Sequence, residues 1–272
     1  MKRALFVHEF RRTRGDLLLL FVGAVGLVAV GSAAMATPVT MLTGTGTVLA
    51  TVTVAIFIPV VTIALAVDYW RSGYGRGGYL TQSLPMKGST IYAVRLAYGA
   101  AVILVSMFVT LLLAVPPALV AAGRAAPEGV SAIGYLENLM RSAQPPLTPG
   151  VFAAAAALVF GSAFCYLSTY YFAASVGSEA RFARLGTAAP FVVWFVLYFG
   201  LQVAAIASLV IPWGVEFADT EITLVNRDWF AAMLTDTAVN GAPIGVVPVL
   251  AVITLVLIWR TAYSWNHKVS LR

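Results

Sequence analysis

The sequence predicts an all-α, polytopic membrane protein with six transmembrane helices and both termini on the cytoplasmic side. Three observations carry this reading. The chain of 272 residues is 60% hydrophobic and only 10% charged, whereas a soluble domain holds about 25% charged residues. Several apolar runs reach the roughly 20 residues that cross a bilayer core as helix. The segments between those runs alternate between positive and non-positive charge.

The first sixteen residues, MKRALFVHEFRRTRGD, hold Lys2, Arg3, Arg11, Arg12 and Arg14 against Glu9 and Asp16. Leu5, Phe6 and Phe10 share one face at helical spacing, which predicts an amphipathic helix lying in the inner interface. The first span runs over 17–36. It is read as retained rather than cleaved, because a long apolar run follows the polar arm and further spans succeed it. Gly23, Gly26, Gly31, Ser32 and Ala33 give it a small-residue face for close helix contact. A short uncharged turn, Thr37 to Gly46, leads to the second span at 47–67, where Pro59 predicts a kink.

A cationic stretch follows, YWRSGYGRGGYLTQSLPMKGSTIYAVR from Tyr69 to Arg95, preceded by Asp68 and carrying Arg71, Arg76, Lys87 and Arg95 with no acid. Its Gly/Tyr/Arg turn, then Ser83-Leu84-Pro85, then a polar helix start, predict a short surface helix placed to touch a soluble partner. The third span is expected at 91–115, ended by Pro116-Pro117, with Arg95 reaching back to the surface. Residues 118–148 read as a loop without net charge. The fourth span is expected at 151–176, the turn GSEARFARLGT at 177–187, the fifth span at 188–211 and the sixth at 244–258. The loop from Pro212 to Gly241 is acidic and shows no clear period. The tail from Arg260 is basic.

With six spans and the termini inside, the inner segments carry +3, +3, +1 and +3, the outer ones 0, 0 and −4, and fourteen of the seventeen Lys and Arg lie inside. That bias sets the orientation. The formal charge of +6 is therefore explained by topology and not by nucleic acid.

The chemistry of the chain is sparse. Gly73, Gly75, Gly77 and Gly78 cluster, but no Lys-Ser or Lys-Thr follows to cradle a phosphate, so ATP needs a separate chain. One cysteine, Cys165, forms no internal disulfide. His8 and His267 lie at opposite ends of the chain. Neither a metal nor a cofactor site nor a catalytic constellation is expected here. The expected span cores hold no ionisable residue, which disfavours a proton-coupled carrier or ion channel and suits an apolar or amphipathic cargo. Gln202 is their strongest polar exception. Thr62, Ser106, Thr110 and Ser168 join it as interhelical hydrogen-bonding or pathway groups.

On this plan the chain resembles the permease subunit of ABC-2 type transporters. The arm from Lys2 to Asp16 is similar to the family's N-terminal elbow helix. Gly77-Gly78-Tyr79-Leu80, Ser83-Leu84-Pro85-Met86-Lys87 and Arg95 are similar to its coupling region. The turn from Glu179 to Leu185 resembles its second cytoplasmic contact, and Asn266-His267-Lys268-Val269-Ser270-Leu271-Arg272 its basic ending. Some members have re-entrant outer helices between spans five and six, and Pro212 to Gly241 is long enough for them.

The resemblance implies a bacterial inner-membrane exporter. Two copies of an ATP-binding cassette subunit, with ATP and Mg, would dock below this chain and a second copy of it or a related permease. Tyr79, Leu80, Leu84 and Pro85 would make apolar contacts to that subunit. Arg76 and Lys87 would supply charge pairing or headgroup contact, and Glu179, Arg181 and Arg184 would form the second contact. A non-transport scaffold subunit and a secondary carrier remain as alternatives on the sequence alone.

Overall fold

A computed structural model describes residues 2–75, 78, 85–143, 148–217, 222–235 and 241–267. Six helices in them are long and apolar enough to cross a membrane, which makes the chain a multi-pass membrane protein. They are α1 (Lys2–Met35), α2 (Thr40–Gly73), α3 (Gly88–Ala125), α5 (Pro149–Gly177), α6 (Ala189–Ala207) and α8 (Val246–His267). Exposed large apolar side chains line each of them, as lipid contact requires.

All of these helices but α6 are longer than the expected spans. The polar arm and the first span are one unbroken helix, not an interfacial helix followed by a span. The arm does not bury the Leu5/Phe6/Phe10 stripe as one face: Leu5 and Phe6 are half-buried and Phe10 is 53% exposed, while Glu9 and Thr13 are 2% and 3% exposed. Polar partners on other helices, described below, hold this face inward. Helix α2 begins at Thr40, so the expected Thr37–Gly46 turn is shorter than read, and Pro59 lies within the helix. Helix α3 continues through Pro116 and Pro117 to Ala125. Arg124, in its last turn, donates through Nη1 to the carbonyl oxygens of Met35 and Thr37, each at 2.7 Å. It thereby satisfies carbonyl groups at the end of α1 that have no intrahelical donor. The segment read as a loop at 118–148 also contains α4 (Ala132–Ser142), none of whose residues is buried. The last span extends past 258 to His267.

The chain divides into two compact units: residues 1–68 with 94–142, and 69–93 with 143–272. In the first unit, α1 and α2 cross closely. A Cβ on Gly46 would stand 2.7 Å from Met35 N and 2.8 Å from Ala34 Cβ, and one on Gly31 would stand 3.0 Å from Ala50 Cβ. The buried stripe Ala50, Thr53, Phe57, Val61, Leu65 recurs every three or four residues along α2, the period of one helix face.

In the second unit, α5 packs against α6 and α8. A 3-10 segment, Ala180–Ala188, links α5 to α6. The acidic stretch after α6 forms no long helix among its described residues. It folds into a three-stranded antiparallel sheet of order β2-β1-β3, with β1 (Trp213–Phe217), β2 (Ile222–Asn226) and β3 (Gly241–Pro243). The alternation WGVEF and ITLVN suits a pleated strand. Gly214 leaves room for the ring of Trp229, the first residue of α7 (Trp229–Leu234), whose N-terminal amide at Ala231 donates to Asp228 Oδ1 at 2.9 Å.

The α1–α2 crossing yields a test. Gly46→Leu is expected to lower the melting temperature of the detergent-solubilised protein strongly, because overpacking a closed contact costs about 1–3 kcal/mol or more. Gly44→Leu, at a site with nothing within 4 Å, is expected to leave it unchanged. Equal melting temperatures for the two variants would refute the close crossing.

Candidate functional site: two buried carboxylate clusters

A carboxylate in a dry protein interior survives only if cations and hydrogen bonds replace its water. Each unit buries one such group, and each group ties several elements together.

In the first unit the group is Glu9 of α1. Its Oε1 accepts from Arg95 Nε of α3 and from Arg12 Nη1, both at 3.2 Å. Its Oε2 accepts from Arg12 Nη2. Arg12 turns its remaining donors to α2: Nε to Asp68 Oδ1 at 3.1 Å and Nη2 to Asp68 Oδ2 at 2.5 Å. The side chains of Glu9 and Arg95 are 3% and 2% exposed. One turn further along α1, the Thr13 hydroxyl shares a hydrogen bond with Tyr98 of α3 and donates to the Glu9 carbonyl at 3.1 Å. The Phe6 ring meets Tyr98 edge-on at 5.4 Å. Phe6, Glu9 and Thr13, at i, i+3 and i+7, thus form the inward face of the arm.

In the second unit the group is Glu179, 3% exposed, just after α5. Its Oε1 accepts from Arg260 Nη2 and Ser264 Oγ of α8, each at 2.8 Å. Its Oε2 faces Arg181 Nε at 3.0 Å. Beside it, Tyr69 of α2 is 1% exposed. The Tyr69 ring stacks on Tyr171 at 3.9 Å and 9°. Its hydroxyl accepts from Trp265 Nε1 at 2.6 Å and shares a hydrogen bond with Ser175 Oγ at 2.7 Å. Tyr74 closes the aromatic group, 5.5 Å from Trp265. The amide of Ser89, at the start of α3, donates to Asn266 Oδ1 of α8 at 2.8 Å. That bond satisfies one of the helix's orphan donors.

The residues singled out from the sequence fare differently. Arg76, Tyr79, Leu80 and Leu84 lie outside the described residues. Pro85 and Lys87 are exposed, and the Lys87 carbonyl accepts from Thr90 N at 2.9 Å as α3 begins. Glu179 is the centre of a buried cluster, Arg181 is one of its ligands with its side chain 55% exposed, and Arg184 is exposed. Gln202 is exposed on α6.

The hydroxyls expected to bridge helices spend their donors at home instead. Thr62 donates to Ile58 O, Ser106 to Val102 O, Thr110 to Ser106 O and Ser168 to Phe164 O, each at 2.8 Å. A carbonyl four residues back is always within reach in a helix, so the local bond wins. Among the described residues no group of three His, Cys, Asp or Glu side chains gathers where a cation could be held.

The sequence reading missed Glu9, Arg12, Asp68 and Arg95 as a set. Their partners lie 56 and 86 residues apart, and no local spacing announces such pairs. The available signal was that Glu9 stands among arginines at i+3 and that Asp68 and Arg95 close adjoining spans. Comparison with protein-family models, with curated proteins and with solved structures returned no match to this chain.

Removing one partner of a buried ion pair leaves the other uncompensated, at a cost of about 3–5 kcal/mol. Arg95→Met is therefore expected to lower stability by that order in detergent unfolding. The joint Glu9→Leu/Arg95→Met change is expected to recover part of the loss. Arg141→Met, in a pair whose side chains are 76% and 55% exposed, is expected to have almost no effect. A small effect of Arg95→Met, equal to that of Arg141→Met, would rule out the cluster as a structural anchor.

Proposed function

We propose that the chain is the membrane-spanning subunit of an ATP-driven transporter of ABC-2 type. On this reading it is a bacterial inner-membrane exporter of an apolar or amphipathic compound. Two ATP-binding cassette subunits carry ATP and Mg, and a second copy of the chain or a related permease completes the membrane part.

The observation that carries the proposal is the anchoring of the Glu179 turn. A turn that only connects two spans needs no buried carboxylate. This one is fastened to α8 through Arg260 and Ser264, while Arg184 is exposed and Arg181, paired with Glu179, leaves half of its side chain exposed. Such an arrangement passes a push on the turn into a span. Conveyance of that kind needs a rigid element seated in a soluble partner. The charge bias that orients the chain puts this turn and the 69–90 stretch on the same, cytoplasmic side. The lack of a phosphate-cradling loop in the sequence supports placing ATP hydrolysis in a partner.

Isolation of the tagged chain from its native membrane in mild detergent, with mass spectrometry of what accompanies it, tests the partner. A stoichiometric soluble subunit bearing a Walker-type loop is the expected result. Intact oligomers without one would favour the scaffold or carrier reading. In the reconstituted complex, Leu84→Asp is expected to abolish substrate-stimulated ATP hydrolysis while membrane insertion persists. Unchanged stimulation would remove the 74–90 segment from the coupling path.

A further inference from the structure

Helix α1 carries two sets of arginines with opposite fates. Arg12 is turned inward and locked between Glu9 and Asp68. Arg11 and Arg14 are exposed, and among the described residues neither has an ion-pair partner. They stand at i and i+3 of a series completed by Leu18, Val22 and Val25, which are 61%, 57% and 43% exposed. That spacing keeps all five on one helix face. The face is cationic at one end and purely apolar beyond, and the helix between is unbroken.

The order of side chains matches the order of a lipid. Apolar side chains facing outward from Leu18 onward require acyl chains beside them. At 1.5 Å per residue, Arg14 stands about 5 Å and Arg11 about 9 Å beyond Leu17, where the apolar run begins. The headgroup layer on each side of the core is about 5–8 Å deep. Arg14 lies inside that layer, and Arg11 reaches back into it along its own methylene stem. Arg3 lies about 21 Å out, beyond direct contact. Asp16 and Glu9 project from other sides of the helix, so no acid on α1 competes for the two guanidiniums.

We propose that Arg11 and Arg14 form a selective contact site for an anionic phospholipid headgroup, whose acyl chain lies along Leu18, Val22 and Val25. A guanidinium fork matches phosphate oxygens in pairs, and an anionic lipid such as phosphatidylglycerol lacks the choline cation that neutralises the phosphate of a zwitterionic one. Arg11 also borders an open concavity of about 630 Å³ lined by Arg3, Ala4, Val7 and His8, which leaves its head accessible. The site depends on the multi-pass membrane character of the chain and not on its transport role.

The test uses the full chain reconstituted in phosphatidylcholine vesicles, with trace spin-labelled phosphatidylglycerol or spin-labelled phosphatidylcholine. Electron spin resonance reads the motionally restricted fraction of each label. The wild type is expected to hold the glycerol lipid several-fold more strongly, at up to about five-fold per arginine. Arg11→Gln/Arg14→Gln is expected to remove most of this preference, and Lys2→Gln/Arg3→Gln to keep most of it. Melting temperature and tryptophan emission are expected to be the same in all three proteins, since the changed side chains are exposed. Inorganic phosphate is expected to compete no better than chloride at equal ionic strength, as a lipid site requires. Equal retention of both labels by the wild type would overturn the proposal. So would an undiminished preference in the Arg11/Arg14 variant, or equal losses in both double variants, which would indicate only a diffuse surface potential.

Discussion

A carboxylate cannot be taken out of water alone, and Glu9 has been taken out of water. Everything near the polar end of the first unit follows from that constraint. Arg95 must come from α3, Arg12 must turn back along α1, and Asp68 must close α2 beside it. Because the guanidinium of Arg12 serves two carboxylates, three helices share one charge-balanced foot. Such a cluster contributes little net free energy compared with a well-packed apolar core. It does fix which faces meet, since any rotation of α1 leaves a buried charge without its counterion. Apolar packing alone would be far more permissive of a shifted register, because in lipid the outside of a helix is as apolar as its inside.

The second unit meets the same constraint with different chemistry. Glu179 takes two arginines and a serine hydroxyl, and the aromatic group around Tyr69 adds stacked area, with the Tyr69 hydroxyl and Trp265 Nε1 hydrogen-bonded. Tyrosine and tryptophan suit this place, where an apolar body and a donor must both find partners. In contrast, Thr62, Ser106, Thr110 and Ser168 bond their own helix, while Thr13, Ser175 and Ser264 reach other elements alongside the long charged side chains.

Much of the architecture was legible in the sequence because length and composition act on every residue of a span. The six apolar runs, and Pro59 as a feature within the second, needed no knowledge of partners. What could not be read was decided between residues distant in sequence. The arm from Lys2 looked like a separate surface helix, because its aromatic stripe is visible locally while the partners of Glu9 are not. Pro116-Pro117 looked like an end, because the carbonyl groups that Arg124 serves belong to another helix. The acidic stretch from Pro212 looked aperiodic because its strands are only three to five residues long, too short for alternation to stand out. Glu179 was legible as the one acid of a short turn, with Arg181 and Arg184 after it. Its burial was not, since that rests on α8.

Helix α2 ends its membership of the first unit at Asp68 and enters the second at Tyr69. The two compact units are therefore interleaved along the chain rather than consecutive. Tyr69 leaves the ribosome 196 residues before Trp265, the donor to its hydroxyl. At synthesis rates of about 5–20 residues per second, that interval is roughly 10–40 s. Once residue 142 is made the first unit has all its segments, while the tyrosine at the foot of α2 still lacks its stacking partner until Tyr171 follows and its bond to α8 until Trp265 follows. Assembly of this protein is a matter of timing as well as of energy: Tyr69 must wait for partners made long after it.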